Sequence, residues 1–163
     1  MGNLPQKKRP PRYYTSIYKT IPTMSEKFIR LAAALGACAV IVGAFGAHSL
    51  KNLFERHQLD PTGPLHTYET GVQYHFYHTL AIGLVGLLLA RMPENKWLAR
   101  SGWFFLVGII CFSGSLYLLA MQPVLSFSVR WVGPVTPLGG LFFIVGWVTL
   151  LFSLRRGQLI NAV

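Results

Sequence analysis

The residues of this 163-residue chain that could do chemistry are His48, Gln73, Tyr74, His75, His78, Ser113, Ser115, Tyr117 and Thr136. A neutral imidazole can ligate a metal or haem iron, or bond between helices. His75 and His78 stand three apart, and Tyr74 and His78 four apart, so on a helix each pair shares a face. A metal or haem site would need His48 to converge with them. No carboxylate or cysteine stands at their level, and no known ligand spacing appears. Other chemistries find less support. There is no G-x-S-x-G elbow, no H-E-x-x-H, no P-loop and no pair of carboxylates. The two cysteines, Cys38 and Cys111, lie in apolar runs and read as small packing residues, not as a disulfide framework.

The elements that must position these residues are apolar to an unusual degree. Charged residues make up 12% of the chain, against about 25% in a soluble domain. Four stretches, about 28–47, 70–90, 101–121 and 135–154, are long and nearly free of charge. Crossing hydrocarbon takes roughly 20 helical residues, and only a helix or a closed barrel satisfies its backbone there. No strand-like alternation is present, so the fold class expected is all-α: an integral membrane four-helix transmembrane bundle over residues 24–163. Residues 1–23 hold Lys7, Lys8, Arg9, Arg12 and Lys19 with no acid and no apolar run, and read as a disordered basic extension. Met24-Ser25-Glu26-Lys27 reads as a start of translation; the rival reading makes the leader a tail or targeting segment.

Connections and charge give sidedness. Residues 48–69 read as the longest loop, opened by a short interfacial helix with Leu50, Leu53 and Phe54 on one face, then broken by Asp60-Pro61-Thr62-Gly63-Pro64. His57 and His66 in that loop read as solvated. Of the 15 Lys and Arg residues, those of the N-terminal segment, the 91–100 connection and Arg155-Arg156 fall on one side; Lys51, Arg56 and Arg130 fall on the other. The positive-inside rule then predicts both termini in the cytoplasm. The net charge of +10 is thus placed as a membrane protein places it, and nucleic acid is not an expected partner.

In lipid, helices associate by close packing. Ala39, Gly43 and Ala47 form a small-residue seam in the first span, extended by Ala32 and Gly36. Gly108 in the third span and Gly139, Gly140 and Gly146 in the fourth are the corresponding packing positions. These seams serve packing within the chain or a homo-oligomer. On the predicted topology the polar residues of all four spans gather in the half of the bilayer away from the termini. Unpaired polar groups in hydrocarbon are costly, so they should face one another or a small wet pocket. That cluster reads as inter-helix bonding, as a lipid or small-molecule pocket, or as a haem or metal site. Proton-coupled transport lacks an intramembrane Asp or Glu.

Several motifs in order are distinctive. Gly43-Ala44-Phe45-Gly46-Ala47-His48, Gln73-Tyr74-His75 with His78-Thr79-Leu80, Phe112-Ser113-Gly114-Ser115-Leu116-Tyr117, and Thr136-Pro137-Leu138-Gly139-Gly140 with Gly146-Trp147 run through residues 26–155. This pattern resembles the domain of unknown function 423 family of small four-helix bacterial membrane proteins, relatives of the eukaryotic transmembrane protein 256. The resemblance implies a multi-pass inner-membrane protein and no particular activity. It implies recurring positions at His48, His75, His78, Tyr117, Gly139, Gly140 and Trp147. The function expected is that of a non-enzymatic accessory or assembly protein; the alternatives are an outer-leaflet lipid or small-molecule binder, or a haem or metal protein using the histidines. Membrane lipids, a homo-oligomer or a membrane-protein complex are the expected partners, and no cofactor is expected.

Overall fold

The computed structural model describes residues 23–154. The expected extension therefore lies outside the described residues apart from Thr23, as does the C-terminal segment from 155. Four helices long and apolar enough to cross a membrane make up the fold. Helix α1 runs Met24–Arg56, α2 Thr62–Arg91 and α3 Lys96–Ala120; α4 is Val135–Ser153, preceded by a 3-10 turn at Arg130–Val132. No strand occurs among the described residues.

The helix ends follow from local chemistry. Thr23 caps α1: its hydroxyl accepts from the Glu26 N–H while the Glu26 carboxylate accepts from the Thr23 N–H. A chain beginning at Met24 would enter this helix without that cap. Asp60 accepts from the Thr62 N–H at 3.0 Å, which holds its carboxyl below the ordinary carboxylate range. Pro64 sits in the first turn of α2, where its missing N–H costs nothing. Asn95 caps two helices at once. Its Oδ1 accepts from Trp97 and Leu98 N–H at the start of α3, and its Nδ2 donates to the Ser153 carbonyl at the end of α4.

Two corrections to the expected loops share one cause. Helix α1 does not stop near Ala47 but continues through a π turn at Gly46–Leu50 to Arg56, and α2 begins at Thr62. The longest loop shrinks to residues 57–61. Gln58 closes α1 in the left-handed region at φ 54°, with the Leu59 N–H reaching back to the Phe54 carbonyl. The segment expected to lie on the membrane surface is a helix, but its apolar face is turned inward. Leu50 and Phe54 are wholly buried and pack with Tyr68 and Ala120. A wound helix keeps this turn alongside α2, so its side chains meet protein rather than headgroups.

The packing is aromatic rings set into glycines. Helix α1 lies along α2, and α4 lies along α3. Phe28 fills the space over Gly102, Phe105 that over Gly146, and Phe143 that over Gly108, while Ile29 closes over Gly86. The central cluster joins Phe28, Ile82, Val85, Leu89, Leu98, Phe105 and Phe143. The seam of α1 differs from the expected one. Gly36 faces Thr79, Gly43 faces Val72 and Ala39 is buried, but Ala47 is exposed, and Gly46 takes its place under the Tyr68 ring. A strict four-residue step drifts around a helix of 3.6 residues per turn, whereas Ala32, Gly36, Ala39, Gly43 and Gly46 alternate steps of four and three and stay on one face.

Candidate functional site

The expected single polar pocket is divided in three by the helix faces. His78 turns to one side of α2. Its Nδ1 lies 2.8 Å from the Tyr74 carbonyl oxygen, which can only accept, so Nδ1 carries the proton. The Trp147 indole N–H of α4 donates to Nε2 at 3.3 Å. Both ring nitrogens are thereby used, and the neutral Nδ1–H form of His78 is specified by its partners. The ring stacks on Phe143 with centroids 3.5 Å apart and planes 10° from parallel. Tyr74 lies over Phe112 at 4.6 Å, and Phe105 meets Trp147 edge-on at 5.0 Å.

These rings line a groove of about 450 Å³ between α2, a π turn of α3 at Ile109–Ser113, and α4. Tyr74, His78, Phe112, Gly140, Phe143 and Trp147 form its body. It opens sideways: Leu141 and Ile144 on its rim are 56% and 60% exposed. No Asp, Glu, Lys or Arg lines it. The close approach of α4 to α3 that shapes it depends on Gly139, where a Cβ would run into the backbone of Phe112. At Gly140 a Cβ would meet only the Phe112 ring, at 3.8 Å, so that position faces open space.

His75 turns to the other side of α2, into the protein. Its Nδ1 pairs with the Tyr117 hydroxyl at 3.2 Å, and the Tyr117 ring packs on Tyr68 at 5.0 Å. The Tyr68 hydroxyl donates to the Val42 carbonyl of α1, just before its π turn. Ser115 and Thr136 make a third, separate contact. Ser115 donates to the Phe112 carbonyl at 2.8 Å, so the 2.7 Å bond between the two hydroxyls must be donated by Thr136. It ties α4 to α3.

Two of the expected residues, His48 and Gln73, do not join. His48 is exposed on the π turn of α1, and Gln73 is exposed on α2. His57 and His66 are exposed as well. A metal or haem set of His48, His75 and His78 therefore has no geometry: the three rings face different surroundings, and both nitrogens of His78 are occupied. No group of three His, Cys, Asp or Glu residues suited to a metal ion occurs among the described residues. Conversely, Phe105, Phe112, Phe143 and Tyr68 carry more of the site than residue type suggested. Trp147 and Thr79 stood inside distinctive motifs without being given a place in the pocket. A tryptophan at mid-span rather than at a helix end was the available signal, because indole N–H groups in hydrocarbon need a partner.

Comparison with known proteins agrees with this architecture. The family described as "Protein of unknown function (DUF423)" matches residues 42–140. The chain is 39% identical to the UPF0382 membrane protein YwdK of Bacillus subtilis (strain 168) over 77% of its own length and 94% of that protein's. It is 36% identical to a UPF0382 membrane protein of Haemophilus influenzae over 80% and 94% of the two chains. It is 35% identical to the UPF0382 inner membrane protein YgdD of Escherichia coli (strain K12) over 82% and 93%. No solved structure matches the chain. The family match, the near-complete coverage of these relatives and the four spanning helices place the chain in the DUF423 family of membrane proteins.

Proposed function

We propose that this protein is a non-catalytic inner-membrane protein that holds the apolar chain of a membrane amphiphile in the lateral groove between α2 and α4. The observation that carries the reading is the groove itself: about 450 Å³, aromatic, uncharged and open toward lipid. That volume lies within the range of roughly 300–1,000 Å³ typical of small-molecule sites. Its one strongly polar wall is the His78–Trp147 pair, which is internally satisfied and so offers a stiff stacking surface rather than a reactive group. The expectation of an accessory or assembly role has no comparable feature behind it.

The groove lies toward the end of the bundle that carries the 57–61 and 121–134 connections. At the opposite end stand Lys27, Arg30, Arg91, Lys96 and Arg100. By the positive-inside rule that end and both termini face the cytoplasm, and the groove belongs to the outer leaflet.

The test fills the groove from within. Gly140→Leu should place its side chain in the open space without moving the backbone, because only the Phe112 ring lies near. Protein reconstituted with phosphatidylethanolamine and phosphatidylglycerol, then released into the gas phase from mild detergent, should retain a stoichiometric lipid that Gly140→Leu loses. Equal retention by wild type and variant would overturn the reading.

A further inference from the structure

Three buried side-chain atoms have no hydrogen-bond partner among the described residues: His75 Nε2, Thr79 Oγ1 and Ser113 Oγ. Their residues are 4%, 3% and 0% exposed. They are not scattered. His75 and Thr79 are one turn apart on a single face of α2, and Ser113 and Tyr117 are one turn apart on α3. The two helices run antiparallel, and the bond from His75 Nδ1 to the Tyr117 hydroxyl fixes their register. One turn from that bond toward the chain termini lie Thr79 on α2 and Ser113 on α3. Both hydroxyls and the free imidazole nitrogen therefore fall within about one helical turn of one another along the α2–α3 contact, while the Thr79 methyl, not its hydroxyl, faces Gly36 of α1.

The neighbours sharpen the contrast. Ser101, Ser115 and Ser153 each donate to the carbonyl three residues back, and Thr67 and Thr70 to the carbonyl four back. That local partner is the ordinary solution for a hydroxyl in a helix, and Thr79 and Ser113 do not use it. Ser113 also ends the π turn Ile109–Ser113, and such widened turns recur at functional sites.

We propose that His75, Thr79 and Ser113 form a buried site for a neutral, water-sized molecule held between α2 and α3. The ligand's chemistry follows from the walls. An enclosed site without a counter-charge excludes an ion on energetic grounds. Two hydroxyls and one imidazole nitrogen, each able to donate or accept, suit a partner that does both. Near-complete enclosure requires a small one, and water meets all three conditions. Its orientation selects the tautomer of His75: when it accepts from Nε2–H, Nδ1 must accept from Tyr117, and when it donates to Nε2, the Tyr117 bond reverses. This site does not depend on the groove, which lies on an adjacent face of α2.

The test turns on a sign. Thr79→Val and Ser113→Ala remove a hydroxyl with little change of shape, and are made singly and together in the full chain in lipid nanodiscs. If nothing joins these groups, each variant relieves a buried unpartnered hydroxyl and the melting temperature stays or rises. If one molecule bridges them, each single variant lowers it by ~2–4 °C, and the double variant falls by less than the sum because the bridge is already broken. Unchanged or raised melting in the single variants, or strictly additive falls, overturns the proposal. Infrared difference spectra in oxygen-18 water identify the ligand: a shifted O–H band is expected in wild type and absent from the double variant. Its absence from wild type overturns water as the occupant.

Discussion

At the scale of single residues, this protein shows why histidines three apart on a helix need not act together. A step of three residues leaves His75 and His78 about 60° apart around α2, enough for one to face Tyr117 and the other Trp147. Each then acquires a tautomer problem of its own. For His78 it is solved by a carbonyl on one side and an indole on the other. Trp147→Phe keeps the ring but leaves His78 Nε2 without a donor in an apolar wall. Hydrogen bonds between membrane helices are worth about 1 kcal/mol, so this variant should lose about that much in reversible detergent unfolding. In a His78→Phe background, the same change should cost markedly less. The type and spacing of the histidines were plain in the sequence; which neighbour each would meet was not, because that depends on the rotation of α2 against two other helices.

At the scale of elements, adjacent glycines do opposite things. Gly139 lets α4 approach the backbone of Phe112, while Gly140 opens onto the groove. Gly139→Ala should therefore cost about 1–3 kcal/mol through forced backbone movement, and Gly140→Ala should be close to neutral. Thermal unfolding of the two variants side by side checks this; equal costs would mean that α4 does not sit where the rings place it. Sequence periodicity found the small-residue seam of α1 but set its phase by one repeated interval. The structure replaces Ala47 with Gly46, because packing follows the helical repeat and the π turn shifts everything beyond it. π turns leave no clear mark in a sequence, so neither the long α1 nor the inward face of Leu50 and Phe54 was legible there.

At the scale of the whole molecule, the main basic cluster and the groove belong to different ends. The basic residues Lys27, Arg30, Arg91, Lys96 and Arg100 lie at one end, and the groove and the His75–Tyr117 pair lie toward the other. If the termini are cytoplasmic, a cysteine in the 57–61 connection (Gln58→Cys) should react with an impermeant maleimide added outside intact cells, and one in the 92–95 connection (Glu94→Cys) should not. Both variants are made with Cys38 and Cys111 replaced by Ala. Labelling of Glu94→Cys alone would invert the molecule and move the groove to the inner leaflet.

The number of spans and the all-helical class were determined by the sequence alone. Uncharged runs of about 20 residues leave the backbone no way to be satisfied in lipid except by helix, and that constraint is local. The family was legible for the same reason, since its motifs are short and ordered along the chain. Which polar residues share a space was decided only by tertiary structure. That outcome depends on the rotation and register of helices packed through glycines, where a shift of a single residue turns a side chain by about 100°. His48 and Gln73 therefore fell outside the site, Trp147 and Thr79 came into it, and one expected pocket became a groove, a buried polar step and a bridge between hydroxyls.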